Sequence, residues 1–572
     1  MKHICLLALL FSSIGFAHAQ SPSPLYEQTS EVNNLMVHYY ADRGSLSRFY
    51  PIETSPERID RLIQLNQTYQ QQLNDLNFNE LPTGSKVDYI LFGNQLSDAI
   101  YQLEQLKDDR QKASSWVSFS PLIYDLYRER RRGASLEGQQ VGGMLDSLAK
   151  SVQGSLKTLA KGDTLDKQIA NPAIKIVKDA QQGLKDIYTF YHGYDPMFTW
   201  WTEHPYQVVD SALTAYADSL AKKSKVMSMQ EKDKSGIVGN PIGEDELIRQ
   251  LEQEMIPYTP EELVNIANQE FAWCDREMLK ASQEMGFGDD WKAALEKVKN
   301  TYVPPGKQPE VILRLFNESV DFLKANDLIT IPPVAEETWR MIMMTPERQL
   351  VNPFFTGGEV ISISYPTNTM SHEDKLMSMR GNNPHFSRAT VHHELIAGHG
   401  LQHFMNDRYK TYRHFRTPFW TEGWSLYWER LLWDLGFPES PEDRVGMLFW
   451  RMHRCARIIF SLNYHLGKWT PQQCIDFLVD RVGHEYANAE GEVRRSFVGG
   501  YSPLYQVAYM IGGLQFEGLK KELVDSGKMT YREYHDAVMQ QNSMPVEMLR
   551  AILLDEPPKK NFKTSWKFYD FE

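Results

Sequence analysis

The chain is poor in cysteine. It contains four cysteines in 572 residues, and Cys5 lies in an N-terminal segment that we expect to be removed. The remaining Cys274, Cys455 and Cys474 allow at most one intramolecular disulfide, and no C-x-x-C pair predicts a metal site. A bridge would join Cys455 to Cys474, the nearest pair along the chain. We expect instead three buried thiols that behave as small apolar side chains.

Positive charge is also scarce. The chain has 61 Lys and Arg against 74 Asp and Glu, a formal net charge of −13. Nucleic-acid binding depends on neutralising phosphates with basic side chains, so we expect no nucleic-acid partner. The 42% of hydrophobic and 24% of charged residues are typical of a folded globular protein.

Long apolar runs are absent beyond the N-terminus. Residues 1–19 form a secretory signal pattern, with Lys2 before an apolar stretch and Ala17-His18-Ala19 as the cleavage site. The apolar stretch is shorter than the roughly 18 residues that a spanning helix needs. We therefore expect cleavage, a mature net charge of −13 − 1 = −14, export to the periplasm or medium of a bacterium, and no stable membrane insertion.

Helix-start signals recur along the chain, and strand signals are few. A capping residue followed by proline and an acid or amide occurs at residues 55–58, 259–262, 440–443 and 470–473. Residues 360–365 and, more weakly, 328–331 have the β-branched pattern of strands. We predict a mostly α, multi-helix scaffold with a small β element.

The domain organisation is predicted from a polar, glycine-containing stretch. After the signal segment at 1–19, we expect a helical N-terminal region at 20–225 and a linker at 226–244. The catalytic helical region is predicted at 245–572.

Residues 392–400, HHELIAGHG, carry the strongest functional signal. Imidazole is a common zinc ligand, and an adjacent glutamate such as Glu394 can act as a general base. On a regular helix, His393 and His399 would lie about 120° apart around the axis and about 9 Å apart along it. Both can reach one metal only if the helix breaks near Ala397-Gly398.

Other readings of this segment remain open at this point. His399 and His403 are four residues apart and share a helical face, but no glutamate follows His399. His392 and His399 also share a face, about 10 Å apart along the axis. Alternatively, the histidines are buried and hydrogen-bonded without a metal.

A third ligand is expected from residues 420–429, WTEGWSLYWE. Glu422 and Glu429 are seven residues apart and face the same side of a helix. The surrounding aromatic residues predict burial, and a buried carboxylate needs a cation, a metal or hydrogen bonds. We favour Glu422, which comes first and lies beside a glycine; the alternative is two solvated acids.

These segments resemble a bacterial family regarded as zinc peptidases and named domain of unknown function 885. The resemblance rests on the following matches: residues 393–402 to H-E-x-x-P-G-H-H-x-Q, residues 422–429 to E-G-W-x-L-Y-x-E, an arginine and histidine pattern at Arg454, Arg457, His465 and Trp469, a tyrosine-to-glycine stretch at 505–512, and Tyr534-His535.

The resemblance implies a helical metallopeptidase with its β element beside the active-site cleft. One zinc ion would be held by His393, His399 and Glu422, with Glu394 as the general base. Three positions depart from the family pattern: Ala397 replaces a proline, Gly400 a histidine, and Ser461 an expected aspartate. The last departure bears on contacts near the substrate.

Further participants are expected around the metal. Tyr509 and His465 are candidates for catalytic groups that stabilise the oxyanion, and Tyr505 for substrate binding. Arginines can bind a peptide carboxylate in a bidentate manner, and the candidates are Arg454, Arg457, Arg494 and Arg495. Core packing and ordinary ion pairs are the alternatives for each.

The sequence thus predicts an exported zinc peptidase that hydrolyses short peptides as a carboxypeptidase or dipeptidase. One alternative is a zinc-dependent amidase acting on a non-peptide or cell-wall-derived amide. The other is a catalytically inactive peptide-binding protein, against which the retention of Glu394 beside both histidines argues.

Overall fold

The computed structural model describes residues 29–162, 164–224, 233–349 and 355–571; the predicted signal segment lies outside them. Within these residues the chain is predominantly helical with two short strands, which confirms the predicted mostly α class with a small β element. The helices are α1 (Asn33–Phe49), α2 (Pro56–Asn74), α3 (Thr83–Ala113), α4 (Ser120–Arg130), α5 (Gly138–Lys161), α6 (Lys167–Tyr191), α7 (Pro196–Lys223), α8 (Glu244–Gln253), α9 (Pro260–Glu284), α10 (Trp291–Lys299), α11 (Gln308–Ala325), α12 (Pro333–Thr338), α13 (Pro346–Gln349), α14 (His372–Gly381), α15 (Pro384–Glu394), α16 (His399–Asn406), α17 (Pro418–Asp434), α18 (Pro441–His465), α19 (Pro471–Phe477), α20 (Tyr486–Val498), α21 (Tyr505–Lys520), α22 (Tyr531–Met539) and α23 (Val546–Leu553).

The predicted helix starts are confirmed, because the capping side chains bind the free amides of the first turn. Ser55 caps α2 and Ser440 caps α18 through their hydroxyl oxygens. Thr259 and Thr470 form complete capping boxes at α9 and α19, in which the third helical residue also binds the cap amide.

The two strands pair in parallel. β1 (Arg340–Met343) aligns with β2 (Val360–Ile363), so that Arg340 lies opposite Val360. β2 confirms the predicted strand. The prediction at residues 328–331 is wrong, because side chains of α22 bind that backbone: His535 Nδ1 lies 2.7 Å from the Leu328 carbonyl, and the Thr330 amide donates to Asp536.

Three apolar cores lie among the described residues. Helices α4–α7 enclose one, whereas α1–α3 share a second with α15–α17 and α21–α23. The third surrounds α9 and α18. Residues 226–232 of the predicted linker lie outside the described residues, so the domain division stays a prediction. No described helix has both the length and the apolar character needed to cross a membrane.

All three described cysteines are buried free thiols, as expected. Burial, together with a hydrogen bond to Cys274, raises the pKa of the Cys455 thiol. The neighbour of Cys455 is therefore Cys274 on α9. Cys474 instead donates to the Phe460 carbonyl at 3.7 Å.

Helices α17 and α21 cross at two glycines. A Cβ atom on Gly512 would lie 2.2 Å from the Phe419 carbonyl oxygen, and one on Gly423 would lie 2.5 Å from the Gly512 Cα. The two backbones therefore touch at a distance that only glycine permits. This contact sets the separation between the helix carrying Glu422 and the helix carrying Tyr505 and Tyr509.

We expect Gly512→Ala to lower the free energy of unfolding by about 1–3 kcal/mol, because the added methyl group overpacks the helix crossing. Chemical denaturation measures this change. Gly154→Ala is the matched control, since a Cβ there on α5 would have no neighbour within 4 Å from the rest of the described chain outside its own helix backbone. Equal effects of the two substitutions would contradict the role of the crossing.

Candidate metal centre

The helix break that the His393/His399 pair requires is present. α15 ends at Glu394 and α16 begins at His399. Between them the chain turns back so closely that the Gly398 amide donates to the His392 carbonyl at 2.8 Å. A Cβ on Gly398 would lie 1.9 Å from the His393 carbonyl oxygen, so only glycine fits. The turn brings the His393 and His399 rings to a centroid distance of 4.9 Å, nearly perpendicular to each other.

Glu422 from α17 completes a three-residue group. Its Oε2 atom lies 3.5 Å from His393 Nε2 and 3.2 Å from His399 Nε2. Ligand atoms of a tetrahedral zinc site, with bonds of about 2.0–2.1 Å, are separated by roughly 3.3 Å. Both distances from Glu422 Oε2 are close to this value, the ligand atoms of His393, His399 and Glu422 all lie within 4.8 Å of one another, and all three residues are buried.

The two oxygens of Glu422 have different surroundings. Oε1 accepts a hydrogen bond from the Tyr505 hydroxyl. Oε2 is buried and faces the Nε2 atoms of His393 and His399. A buried carboxylate oxygen is costly unless a hydrogen-bond donor or a positive charge faces it. Together with its distances to the two imidazoles, this oxygen fits a cation held between the three side chains.

The electrostatics of the group favour positive charge at this position. Burial raises the pKa of the Glu422 carboxyl, but the His399 and His393 imidazoles outweigh burial and hold that pKa well below its usual range. Burial lowers the pKa of His399, yet the Glu422 carboxylate raises it overall to about 9. Without a metal, the carboxylate therefore attracts a proton onto His399.

Further side chains orient both imidazoles. Glu429 Oε1 lies 2.7 Å from His393 Nδ1 and also accepts from Arg454 at 2.9 Å. Burial raises the pKa of Glu429, but Arg454 and His393 lower it to about 2, so it is ionised. A carboxylate at Nδ1 holds the proton there and leaves the Nε2 lone pair facing the centre.

His399 is oriented in a similar way from its own helix and from α17. Its Nδ1 lies 3.2 Å from both Gln402 Oε1 and Ser425 Oγ. Gln402 in turn donates to the Trp420 carbonyl at 3.3 Å. The rings of both histidines are thus fixed with Nε2 pointing toward Glu422.

Glu394 lies beside this group at the end of α15. Its Oε2 accepts a hydrogen bond from the Gly357 amide at 2.5 Å, and its backbone carbonyl accepts from Gly358 at 3.0 Å. The loop before β2 therefore contacts Glu394 and lines the same cavity through Phe355, Thr356 and Gly357. Glu394 lines the same cavity as the three candidate ligands.

This cavity has a volume of about 350 Å³. Most of the predicted site residues line it, namely His393, Glu394, His399, Glu422, Arg454, Arg457, Arg495, Tyr505 and Tyr509. His465 does not: its ring packs against Tyr464 and Phe497 at the end of α18. Arg494 lines a neighbouring pocket and pairs with Glu490 at 2.7 Å.

A set of buried charges forms one side of the cavity. Arg457 and Arg495 each contact a different oxygen of Glu492 through Nε at 2.7 Å. The Arg457 guanidinium lies 4.1 Å from the centre of the Tyr509 ring, and that ring stacks at 6.1 Å on His393. Arg457 Nη1 is buried and has no hydrogen-bond partner among the described residues.

The other two histidines of the segment are not part of the three-residue group. His392 is buried against the Phe437 ring, and burial lowers its pKa to about 3. His403 lines the cavity 6.3 Å from the His399 ring. The fold therefore groups an acid with His393 and His399, and not with the pairs His392/His399 or His399/His403.

The sequence patterns do not assign the residues that orient the ligands and the base. They indicate Glu429 only as an alternative ligand and give no role to Gln402, Ser425 or Gly357. Gln402 and Ser425 each lie three residues after a candidate ligand on the same helix, which is a usable signal. Gly357 is distant in sequence and carries no such signal.

The comparisons with known proteins agree on the fold. The chain is similar to the solved structure of a presumed lipoprotein of unknown function from Shewanella oneidensis, with 17% identity, a TM-score of 0.67, and coverage of 92% of this chain and 100% of that one. The solved structure of a presumed lipoprotein from Colwellia psychrerythraea has 16% identity and a TM-score of 0.56, with coverage of 91% of this chain and 98% of that one. No curated protein matches.

Residues 51–553 match a family described as bacterial protein of unknown function, DUF885. The chain belongs to the DUF885 family. The match spans all described parts of the candidate centre and confirms the resemblance drawn from the histidine and glutamate segments.

We expect Glu429→Gln to weaken the binding of Zn²⁺ about 10–100-fold, because the neutral amide no longer raises the basicity of His393. Competition with a fluorescent chelator measures this affinity. Glu310→Gln, an exposed member of a surface ion pair, is the control. If Glu429→Gln binds Zn²⁺ as tightly as the unchanged chain, His393 is not a ligand held in this way.

Proposed function

We propose that this DUF885 protein is a zinc-dependent peptidase. The observation that carries the proposal is the convergence of His393 Nε2, His399 Nε2 and Glu422 Oε2 in a cavity that Glu394 also lines. Two imidazoles and one carboxylate are the ligand set of one class of catalytic zinc sites, which keep a further position open. The distances of 3.5 Å and 3.2 Å from Glu422 Oε2 to the two Nε2 atoms, which are close to the ligand spacing of a tetrahedral site, support zinc.

When bound, zinc would act as a Lewis acid that polarises the substrate carbonyl and lowers the pKa of a water molecule. Glu394 is suited to accept the proton of the attacking water and to pass it to the leaving amine. The Gly357 amide holds one oxygen of Glu394, so its other oxygen is available for this transfer.

Tyr509 and Tyr505 contribute in different ways to the proposed reaction. Burial raises the pKa of Tyr509, so its hydroxyl stays protonated and able to donate to a developing oxyanion. Tyr505 donates to Glu422 and is therefore a positioning residue for a ligand. We accordingly move Tyr505 from substrate binding to this role and leave His465 outside the mechanism.

The arginines favour substrates with a free C-terminal carboxylate. Arg454, Arg457 and Arg495 face two carboxylates behind the cavity wall, Glu429 and Glu492, which leaves one positive charge in excess. Arg457 Nη1 still has a free hydrogen-bonding capacity. A carboxylate binds guanidinium strongly. A cavity of about 350 Å³ suits the end of a short peptide, as in a carboxypeptidase or dipeptidase.

We also propose that the protein is exported. The signal pattern of residues 1–19 supports this, and the two solved structures from Shewanella oneidensis and Colwellia psychrerythraea are described as presumed lipoproteins, a class of exported proteins. Detection of the mature chain in a periplasmic or culture-medium fraction tests it.

We expect Glu394→Gln to reduce kcat by about 10²–10⁴-fold, the usual contribution of a general base. Its zinc content should remain unchanged, because Glu394 is not a proposed ligand. Zinc is measured by elemental analysis, and cleavage of a mixed peptide library is measured by mass spectrometry. Glu310→Gln is the activity control. A zinc-loaded chain that cleaves no peptide would refute the proposed function.

For a cleaved peptide, we expect amidation of the C-terminus to lower kcat/KM by about 10–100-fold, because one charged hydrogen bond is lost. Arg457→Lys, which keeps the charge but not the planar guanidinium, should reduce this discrimination between the free acid and the amide. The ratio of the two kcat/KM values is insensitive to the fraction of folded enzyme. An equal ratio in both proteins would mean that Arg457 does not bind the carboxylate.

A further inference from the structure

The tip of the α6–α7 hairpin exposes a group of large apolar side chains. We call it the aromatic tip: Phe190, Tyr194, Met197, Trp200 and Trp201, with exposed fractions of 45%, 89%, 59%, 80% and 37%. Such residues are usually buried, and Tyr194 and Trp200 are almost fully in solvent. The aromatic tip lies on the α4–α7 part of the molecule, whose apolar core is separate from those around the candidate metal centre.

The backbone of the aromatic tip is held rigidly from behind. A Cβ on Gly138 would lie 2.6 Å from the Met197 carbonyl oxygen, and one on Gly142 would lie 2.6 Å from that of Trp201. Helix α5 therefore packs directly on the backbone of the first turns of α7. Asp195 also caps α7 through the Met197 and Phe198 amides. The outward side chains are thus presented by a fixed scaffold, which lowers the entropy cost of binding.

Arginines at the end of α4 lie next to the aromatic tip. Residues 128–132, RERRR, carry a local charge of +3 (four Arg, one Glu) in a chain whose net charge is −13. The Arg130 guanidinium lies 4.3 Å from the centre of the Phe190 ring, and Tyr191 donates to the Ala134 carbonyl at 2.5 Å. The basic segment and the aromatic tip are therefore parts of one surface.

Not all of these arginines are paired with acids. Arg128 and Arg131 contact Glu57. Arg130 and Arg132 have ring contacts but no ion pair with a carboxylate of the described residues. Other acids nearby have roles of their own, since Glu137 caps α5 and Asp195 caps α7. Unpaired guanidinium groups are thus available to an anionic surface.

We propose that this surface binds a lipid bilayer that carries anionic headgroups. Tryptophan and tyrosine favour the boundary between headgroups and acyl chains, because their rings have an apolar body and a polar edge. Arginines beside them attract the negative charge of the headgroups. The aromatic side chains project from the end of a hairpin, which suits shallow insertion into an interface. The binding does not depend on the metal centre.

Sedimentation with lipid vesicles tests this proposal. The chain from Gln20 onwards should sediment with vesicles of phosphatidylglycerol mixed with phosphatidylcholine, and less with phosphatidylcholine alone. Tyr194→Ser combined with Trp200→Ser should weaken binding by about tenfold or more, since two rings no longer leave water. Tyr486→Ser is the control, because Tyr486 is an aromatic residue of α20 with 49% exposure.

Arg130→Ala with Arg132→Ala should remove the preference for phosphatidylglycerol and flatten the dependence of binding on salt. The tip variant should unfold at the same denaturant concentration as the unchanged chain, because Tyr194 and Trp200 are 89% and 80% exposed. The arginine variant is compared with the unchanged chain after its own unfolding midpoint has been measured. The proposal is overturned if the unchanged chain does not bind anionic vesicles, or if the tip variant binds them as strongly as the unchanged chain does. It is also overturned if the tip substitutions convert an oligomer to a monomer in analytical ultracentrifugation, which would identify a protein interface.

Discussion

The candidate centre depends on one close contact, that between Gly398 and the carbonyl group of His393. A helix continuing through this segment would place His393 and His399 on different faces, about 9 Å apart along the axis. The chain instead turns back on itself over four residues and restarts as α16 at His399. Because a Cβ at Gly398 would overlap the His393 carbonyl, the absence of a side chain there allows the two imidazoles to face each other.

A second contact between backbones places the other half of the centre. The crossing of α17 and α21 at Gly423 and Gly512 brings Tyr505 to Glu422 and Tyr509 to His393. Glycines at the α15–α16 turn and at the α17–α21 crossing thus hold the donors and acceptors of separate helices close together. The remaining oxygen of Glu422 is left facing the two Nε2 atoms.

Two buried carboxylates beside this centre are each paired with two cationic or hydrogen-bonding groups. Glu429 lies between His393 and Arg454, and Glu492 lies between Arg457 and Arg495. Charges removed from water need partners, and each carboxylate here has at least two cationic neighbours or hydrogen-bond donors. The pairing keeps the acids ionised inside the protein. It also leaves the arginines as a positive surface toward the cavity.

Much of the local structure follows from short sequence patterns. The caps at Ser55, Thr259, Ser440 and Thr470 act within one helical turn, so they are visible without the fold. The strand at residues 360–363 was also predictable, whereas its partner at residues 340–343 was not, because pairing depends on a distant segment. The prediction of a strand at residues 328–331 was wrong for the same reason, because its backbone is bound by side chains of α22, which is distant in sequence.

The sequence by itself determined the helical class, because capping and periodicity act within a few residues. It left several histidine pairs open, and the choice of His393, His399 and Glu422 as candidate ligands came from the resemblance to the family. Only the tertiary structure decided that Glu429 orients His393, that Tyr505 holds Glu422 and that His465 lies away from the cavity. It also showed that Phe190, Tyr194 and Trp200 form one exposed surface. Such relations join residues from different helices, and the packing of those helices is set by contacts spread over the whole chain.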